Sequence, residues 1–246
     1  MMRLAVIGDP VGHSASPRLH RQFLDEAKID GTYAAIRVAG GHGAAAIARL
    51  REDGFTGCNV TYPLKEEALN ACGKTTEEAR RAQAVNTIYF GRQIFGTNTD
   101  GIGARTAIES LLDEPVALKR IGVLGYGATA RAILAELAEN DAYTFVWGRD
   151  PERVRATCRL FEAGAWPQAN PPEIVVSTLP PEAELPDLLV TALRVPDLVM
   201  DANYGARATL ARRLGRDVVP GDAMLEAQAR ASFDFWLAHV DRVAGA

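Results

Sequence analysis

Short apolar runs alternate along the chain with stretches whose apolar residues recur at helical spacing. The first run predicts a strand at residues 4–8. Leu19, Phe23 and Leu24 then share one face of a helix predicted at residues 18–27. Strands that alternate with helices in this way are typical of a mostly parallel sheet covered by helices. We therefore predict an α/β fold.

The N-terminal part of the chain continues this pattern. Its further predicted elements are a strand at residues 33–38, a helix at 43–53, a strand at 58–61, a helix that contains Lys65, and strands at 84–89 and 94–97. A helix predicted at residues 100–113 links this part to the next.

A second α/β unit begins near Lys119. Strands are predicted at residues 120–124, 144–147, 174–177 and 198–201, and a glycine turn opens a helix that runs to Asn140. The two later strands are mainly apolar, as parallel strands buried on both faces are. This arrangement is typical of a mononucleotide-binding α/β unit.

The last predicted helix, at residues 223–240, carries a glutamine on its apolar face. Met224, Gln228, Ala231 and Phe235 share that face at helical spacing. A buried amide needs a hydrogen-bond partner. The residues alone leave open whether the partner of Gln228 is structural or a ligand.

The amino-acid composition argues against several classes of function. The chain has 246 residues, of which 48% are hydrophobic and 24% are charged, and its net charge of −4 argues against a nucleic-acid binder. Its three cysteines show neither a pairing pattern nor metal-ligand spacing, which fits a reducing compartment. No apolar run approaches a membrane span, and a strand starts at once without a signal peptide. We expect a cytoplasmic protein that binds neither membrane, nucleic acid nor metal.

Lys65 is the most informative residue of the N-terminal part. It follows a predicted strand and Pro63, and proline is tolerated at the first helical position. Lys65 is therefore expected in the first helical turn, where the positive end of the helix macrodipole disfavours a cation and promotes loss of its proton. A lysine of this kind suits proton transfer. The alternative is a solvated lysine whose side chain extends outward.

The glycine turn predicts a nucleotide site. Gly-Tyr-Gly-Ala-Thr-Ala at residues 125–130 follows a strand and opens a helix, which is the context of a dinucleotide fingerprint. Arg149 and Arg153 follow the next strand, and arginines there favour the 2′-phosphate of NADP. An acidic residue at that position would favour NAD. Asp150 precedes Pro151 and resembles a helix N-cap, so its presence is explained without NAD. We therefore predict NADP, with NAD as the alternative.

Two further groups of polar residues lie next to apolar runs. Ser14 and Ser16 lie in a polar loop and suit an anionic ligand, although a turn with a helix cap at Ser16 is the alternative. Asn86 and Asp100 lie at the ends of apolar runs, where α/β proteins bind ligands. Their alternatives are a turn asparagine and a helix-capping aspartate.

Six motifs, in this order along the chain, resemble those of the shikimate dehydrogenase family. They are Gly-Asp-Pro-Val-Gly-His-Ser-Ala-Ser-Pro at 8–17, Asn-Val-Thr-Tyr-Pro-Leu-Lys at 59–65, Ala-Val-Asn-Thr at 84–87, Asn-Thr-Asp-Gly at 98–101, the glycine turn, and Gly-Asp-Ala-Met-Leu-Glu-Ala-Gln at 221–228. The resemblance implies reversible reduction of 3-dehydroshikimate to shikimate by NADPH, in the shikimate pathway to chorismate and the aromatic amino acids. An NAD-dependent quinate or shikimate-like dehydrogenase and a non-catalytic ligand sensor are the rival hypotheses.

The resemblance also implies a division into two domains. Residues 1–101 and 223–246 would form an α/β substrate-binding and catalytic domain with a mostly parallel sheet. Residues 102–222 would form a Rossmann domain that binds NADP, with NAD as the alternative. The final helix would return to the N-terminal domain, the active site would be a cleft between the domains, and the protein would be a monomer or homodimer.

Residue roles follow from the same resemblance. Lys65 and Asp100 would form the catalytic pair, and Ser14 and Ser16 would hold the substrate carboxylate. The other implied substrate-binding residues are Thr61, Asn86, Gln228 and, from the Rossmann side, Tyr204. The implied cofactor-binding residues are Gly125, Tyr126, Gly127, Ala128, Thr129, Arg149, Arg153, Thr178, Gly221 and Met224.

The chain departs from the family pattern in several places. Tyr126 stands where the family has a small residue, and Ala128 stands where it has a glycine. The family's NADP motif begins Asn-Arg-Thr, whereas this chain has Gly148, Arg149 and Asp150. Residues 201–209 lack the family's usual proline. We therefore expect differences in cofactor fit and in substrate detail, for example quinate or an amino analogue.

Overall fold

The computed structural model describes residues 1–166 and 171–244. The chain divides into unit 1, which comprises Met1–Asp100 and Gln228–Ala246, and unit 2, which comprises Gly101–Ala227. Within the described residues, each unit contains one six-stranded sheet. The predicted α/β class is confirmed. No helix in the described part of the chain is long and apolar enough to cross a membrane.

The sheet and helices of unit 1 alternate from the N-terminus. They are β1 (Met2–Gly8), α1 (Ser16–Glu26), β2 (Gly31–Arg37), α2 (Gly43–Glu52), β3 (Gly57–Val60), α3 (Lys65–Ala71), β4 (Lys74–Thr75), α4 (Glu77–Ala82), β5 (Thr87–Phe90) and β6 (Ile94–Thr97). Helix α5 (Asp100–Leu112) follows β6. Its first residue, Asp100, is the last residue of the N-terminal segment of unit 1.

The strand order of this sheet is β2-β1-β3-β5-β6-β4. Strand β5 runs antiparallel to both β3 and β6, whereas the other neighbouring strands are parallel. The amino end of β5 therefore lies at the same edge as the carboxyl ends of β1, β3 and β6. Ligands of open α/β sheets bind at this kind of edge.

The same alternation continues in unit 2. Its elements are β7 (Arg120–Leu124), α6 (Ala128–Glu139), β8 (Tyr143–Trp147), α7 (Pro151–Phe161), β9 (Gly164–Ala165), β10 (Ile174–Ser177), α8 (Asp187–Ala192), β11 (Leu198–Asp201), a 3₁₀ turn (Gly205–Arg207), α9 (Leu210–Leu214) and β12 (Val219–Pro220). Helix α10 (Asp222–Ala244) ends the described chain.

All neighbouring strands of the second sheet are parallel, in the order β12-β11-β10-β7-β8-β9. Read from β9, this is the order 3-2-1-4-5-6 of a Rossmann sheet. Buried apolar residues of the strands and of α6, among them Ile121, Val123, Ile133 and Val176, form its core.

From Gln228 onward, α10 belongs to unit 1. The indole N–H of Trp236, which is fully buried, donates to the carbonyl of Ile88 over 2.8 Å. A Cβ at Gly57 would lie 2.4 Å from both that carbonyl oxygen and the indole nitrogen. Glycine at this position therefore allows the helix to lie close against the sheet.

Several predicted bounds in unit 1 differ from the structure by one or two residues, and two differences are larger. The strand predicted at residues 84–89 begins at Thr87, because Val85 N–H donates instead to the carbonyl of Lys65 over 2.9 Å. Helix α4 was not predicted, although Thr76 gives a recognisable signal. Its hydroxyl accepts the N–H of Ala79 as an N-cap.

Candidate functional site

Polar side chains from four loops lie at the shared edge of the unit 1 sheet. The loop after β1 carries Ser14 and Ser16, and Thr61 directly follows β3. Asn86 directly precedes β5, and Asp100 follows β6. The antiparallel direction of β5 is what brings Asn86 to this edge.

Lys65 and Asp100 form a buried ion pair at this edge. The Lys65 ammonium donates to Oδ2 of Asp100, and the two side chains are 12% and 8% exposed. The solvated alternative for Lys65 is therefore wrong. Lys65 is the first residue of α3 and Leu64 is the N-cap residue, so Pro63 precedes the helix instead of occupying its first position.

Asn86 holds the other oxygen of Asp100. Its amide group donates to Oδ1 of Asp100 over 2.8 Å and to the Thr99 hydroxyl over 3.0 Å. Its carbonyl oxygen accepts from the Thr99 backbone N–H and from the Thr87 hydroxyl, each over 2.9 Å. Both amide protons are thus engaged with the protein. A substrate hydroxyl would have to replace one of these bonds, so the predicted substrate role of Asn86 stays a prediction.

Asn98 is a site residue that the sequence analysis missed. Its side-chain oxygen accepts the Asp100 backbone N–H over 3.0 Å, and its amide donates to the carbonyl of Ala84 over 3.0 Å. Asn98 thus supports the start of α5, while the Asp100 carboxylate binds Lys65 and Asn86. The signal was present in the sequence, because an asparagine side chain commonly accepts the backbone N–H two residues further on, in an Asx turn.

A buried hydroxyl cluster, which the sequence analysis also missed, continues from Asn86 to α10. The Ser232 hydroxyl lies 2.7 Å from that of Thr87 and 3.0 Å from that of Thr99. It also accepts from the Asn59 amide over 3.1 Å and donates to the carbonyl of Gln228 over 2.9 Å. Polar residues inside otherwise apolar strands, such as Asn59, were the available signal.

Gln228 is linked to Asn86 through the hydroxyl group of Thr99. Thr99 donates to Oε1 of Gln228 over 3.5 Å, and Thr99 is itself bonded to Asn86. Gln228 is half-buried and has a protein partner. Its role as a ligand-binding residue stays a prediction.

The serines lie in the loop before α1. The Ser14 hydroxyl accepts the Ser16 backbone N–H over 3.3 Å, and Ser16 is the buried first residue of the helix. Ala15 is the N-cap residue, so the alternative of a cap at Ser16 is wrong. A Cβ at Gly8 would lie 2.3 Å from Cγ2 of half-buried Thr61, so glycine here allows the end of β1 to approach that residue.

The glycine turn of unit 2 opens α6 and lies close to Thr178. Gly125 has a φ of +112°, and a Cβ there would lie 2.5 Å from the Thr178 hydroxyl. That hydroxyl donates to the carbonyl of Leu124 over 2.8 Å. Gly127 is the N-cap residue of α6, followed by Ala128 and Thr129 in its first turn. A helix start of this kind presents N–H groups to a pyrophosphate, so the residues fit the cofactor.

Arg149 and Arg153 are exposed after β8, on either side of the start of α7. Oδ1 of Asp150 accepts the N–H of Glu152 over 2.9 Å and that of Arg153 over 3.3 Å. The interpretation of Asp150 as a helix N-cap is therefore confirmed. The carbon of the Arg153 guanidinium lies 4.5 Å from the centre of the Tyr126 ring.

The remaining predicted residues also lie in unit 2. Gly221 donates its N–H to the carbonyl of Asn203 over 2.9 Å, and a Cβ there would meet the Ala202 carbonyl at 2.5 Å. Met224 is buried in the core of unit 2. Tyr204 is half-buried just before the 3₁₀ turn. Their ligand roles stay predictions.

The pKa values of all three cysteine thiols are raised by burial. Burial raises the pKa of the Cys58 thiol, and it raises that of Cys72 to about 12. In the part of the chain that the structure describes, no group of three or more histidine, cysteine, aspartate or glutamate residues could hold a metal ion.

Comparisons with known proteins point to one family. A family model described as the shikimate dehydrogenase substrate binding domain matches residues 6–88. Shikimate dehydrogenase (NADP(+)) of Acidiphilium cryptum is 44% identical over 161 residues, which are 65% of this chain and 58% of that protein. The enzyme of the same name from Rhodospirillum rubrum is 37% identical over 257 residues, 94% of this chain and 90% of that protein.

A solved structure agrees with the sequence comparisons. Shikimate 5-dehydrogenase from Thermus thermophilus, in complex with NADP(H) and shikimate, matches with a TM-score of 0.82 at 29% identity. The match covers 96% of this chain and 93% of that chain.

Proposed function

Because the chain belongs to the shikimate dehydrogenase family, we propose that it catalyses the reversible NADP-dependent reduction of 3-dehydroshikimate to shikimate. This oxidoreductase reaction is a step in the biosynthesis of aromatic amino acids. The observation that carries the proposal is the buried ion pair of Lys65 and Asp100, which Asn86 holds at the ligand-binding edge of the unit 1 sheet.

In this mechanism Lys65 is the proton donor. Bound NADPH supplies the hydride. Hydride addition to a carbonyl carbon builds negative charge on the oxygen, and the Lys65 ammonium stabilises that charge and then protonates it. In the reverse direction, neutral Lys65 accepts the proton of the hydroxyl group. Atoms and charge balance, because one hydride and one proton convert C=O to CH–OH.

We propose that Asp100 and Asn86 hold the Lys65 side chain in position. The ammonium is attached to a flexible four-carbon side chain, and ordering such a chain costs conformational entropy. Asp100 binds it before substrate arrives, and Asn86 fixes the carboxylate in turn. The low exposure of the pair strengthens these electrostatic interactions, since less water screens them.

The other roles are proposed from residue chemistry. Ser14 and Ser16 are short hydroxyl donors suited to the substrate carboxylate. Thr61, Asn86, Gln228 and Tyr204 are proposed to bind the ring hydroxyls.

NADP is proposed to be bound by unit 2. The start of α6 would bind the pyrophosphate, and Arg149 and Arg153 would bind the 2′-phosphate. The Asp150 carboxylate supports this choice over NAD, because it is engaged as the cap of α7. Gly221 and Met224 are proposed as further cofactor contacts.

The proposed compartment is the cytoplasm, and the proposed state is a monomer or homodimer. Three free cysteines, Cys58, Cys72 and Cys158, suit a reducing compartment.

The test is absorbance at the nicotinamide band with purified protein. Shikimate and quinate are each offered with NADP⁺ and with NAD⁺. The proposal expects the fastest NADPH formation with shikimate and NADP⁺. Faster turnover of quinate with NAD⁺ would support the rival dehydrogenase. Ligand binding without turnover in any combination would support the ligand sensor.

A further inference from the structure

Tyr126 and Gly148 form a matched pair beside the glycine turn. A Cβ at Gly148 would lie 2.4 Å from Cε1 and 2.5 Å from Cδ1 of the Tyr126 ring. The ring therefore occupies the space that a side chain at position 148 would fill. The two departures from the family pattern, a large residue at 126 and a glycine at 148, have one physical cause.

The Tyr126 ring also contacts Arg153. The guanidinium carbon lies 4.5 Å from the ring centre, within the range of a cation–π interaction. The backbone of Arg153 is held as well, because its N–H donates to the Asp150 carboxylate over 3.3 Å. Both the backbone N–H and the guanidinium group of this exposed arginine therefore have a protein partner.

An arginine stacked on a ring can still bind phosphate. The guanidinium contacts the ring with its face, and its N–H groups point outward from its edge, where they match phosphate oxygens. A side chain already held in the binding position loses less entropy when the ligand arrives. The end of the second Rossmann strand is where the 2′ group of the adenosine ribose binds.

We infer that Tyr126 determines cofactor specificity by holding Arg153 in position for the 2′-phosphate, so that the protein prefers NADP to NAD. This inference rests on the proposed function. It differs from a direct contact between the ring and the nucleotide, because a direct contact would favour both cofactors equally.

The experiment measures the binding of NADP⁺ and NAD⁺ by isothermal titration calorimetry, without substrate. Tyr126→Leu removes the aromatic face and keeps apolar bulk. It should weaken NADP⁺ about threefold to tenfold, the range expected for a cation–π contact, and leave NAD⁺ within about twofold. Tyr126→Phe retains the aromatic face and should therefore lose less NADP⁺ affinity than Tyr126→Leu does.

A double-mutant cycle tests whether Tyr126 acts through Arg153. Arg153→Ala should weaken NADP⁺ more than Tyr126→Leu does. The double variant should be no weaker than Arg153→Ala alone, because the ring then has nothing to hold. Gly148→Ala is a second route to the same effect, since its Cβ would displace the ring while Tyr126 remains.

Three results would overturn the inference: equal weakening of both cofactors by Tyr126→Leu, additive losses in the double variant, or unchanged NADP⁺ binding in both Tyr126→Leu and Gly148→Ala. Failure of the proposed function looks different. In that case the wild type would oxidise shikimate with neither cofactor, whatever its affinities for NADP⁺ and NAD⁺. If Tyr126→Leu does not fold, Gly148→Ala decides the question.

Discussion

Replacing Lys65 by methionine tests the buried ion pair most directly. Methionine keeps the length of the side chain and removes its charge, so the Asp100 carboxylate loses its cation while remaining only 8% exposed. Removing one partner of a buried pair costs about 3–5 kcal/mol, because a charge is left buried and uncompensated. That is a large part of the roughly 5–15 kcal/mol of a typical domain.

A second variant separates the effect on the free energy of unfolding from the effect on turnover. Lys65→Met combined with Asp100→Asn removes both charges, and the new amide can still accept the hydrogen bond from Asn86. Its free energy of unfolding should return to within about 1 kcal/mol of the wild type, since neutral replacements of buried pairs are often tolerated. Turnover should remain lower by orders of magnitude in Lys65→Met, Asp100→Asn and the double variant, because each lacks a member of the catalytic pair.

The assays are urea unfolding followed by circular dichroism, and kcat with shikimate and NADP⁺. Lys28→Met is the control, because Lys28 is an exposed lysine of the same unit and its loss should change stability by at most about 0.5 kcal/mol. A loss below about 1 kcal/mol in Lys65→Met would refute the reasoning about the buried charge. Near-normal turnover in the stable double variant would remove Lys65 from the mechanism.

Three further predictions concern the stability of unit 1. Ser232→Ala should lower the free energy of unfolding by about 1–3 kcal/mol, because it removes the hydroxyl at the centre of the buried cluster. Gly57→Ala should cost at least about 1–3 kcal/mol, because the new Cβ meets the Trp236 indole nitrogen and a backbone carbonyl at 2.4 Å. For His20, burial lowers the pKa from 6.5 to about 3, and the nearby Arg230 cation adds to this effect. Its contribution to stability is therefore complete above pH 6.5 and falls as the pH drops towards 3, so acidification from pH 7 to pH 5 should cost the wild type about 2 kcal/mol more than His20→Phe.

Urea unfolding tests each of these three predictions with its own control variant. Ser232→Thr should retain part of what Ser232→Ala loses, and equal stability of Ser232→Ala and wild type would mean that the cluster contributes nothing. Gly54→Ala is unsuitable as a control for Gly57, because Gly54 has a φ of +75°. Gly12→Ala is suitable, because a Cβ there has no heavy atom within 4 Å. A pH profile of His20→Phe parallel to that of the wild type would exclude His20 as the source of the acid sensitivity.

Much of unit 2 was predictable from local sequence. The strands at Arg120–Leu124, Ile174–Ser177 and Leu198–Asp201 have the predicted bounds, because a parallel strand buried on both faces reads as a continuous apolar run. The glycine turn and the Asp150 cap were also predictable. In each case neighbouring residues in the chain satisfy the backbone of the turn or the helix start, so the signal lies within a few positions.

Other features had no local signal. Strands β4, β9 and β12 contain two residues each, which is too short to show an alternating pattern. The strand predicted at residues 84–89 would contain Asn86, whereas the observed strand begins at Thr87. The antiparallel direction of β5 then places Asn86 at the edge that holds Asp100.

The polar contacts of the candidate site were decided by tertiary structure alone. Ser232 bonds Thr87 across 145 positions of the chain, and Lys65 meets Asp100 across 35. The Tyr126 ring likewise explains the glycine at 148 only once β7 and β8 lie side by side. Apolar periodicity records which face of an element is buried. The partner of a buried polar group depends on which distant elements the fold brings next to it, and that information is absent from any short stretch of sequence.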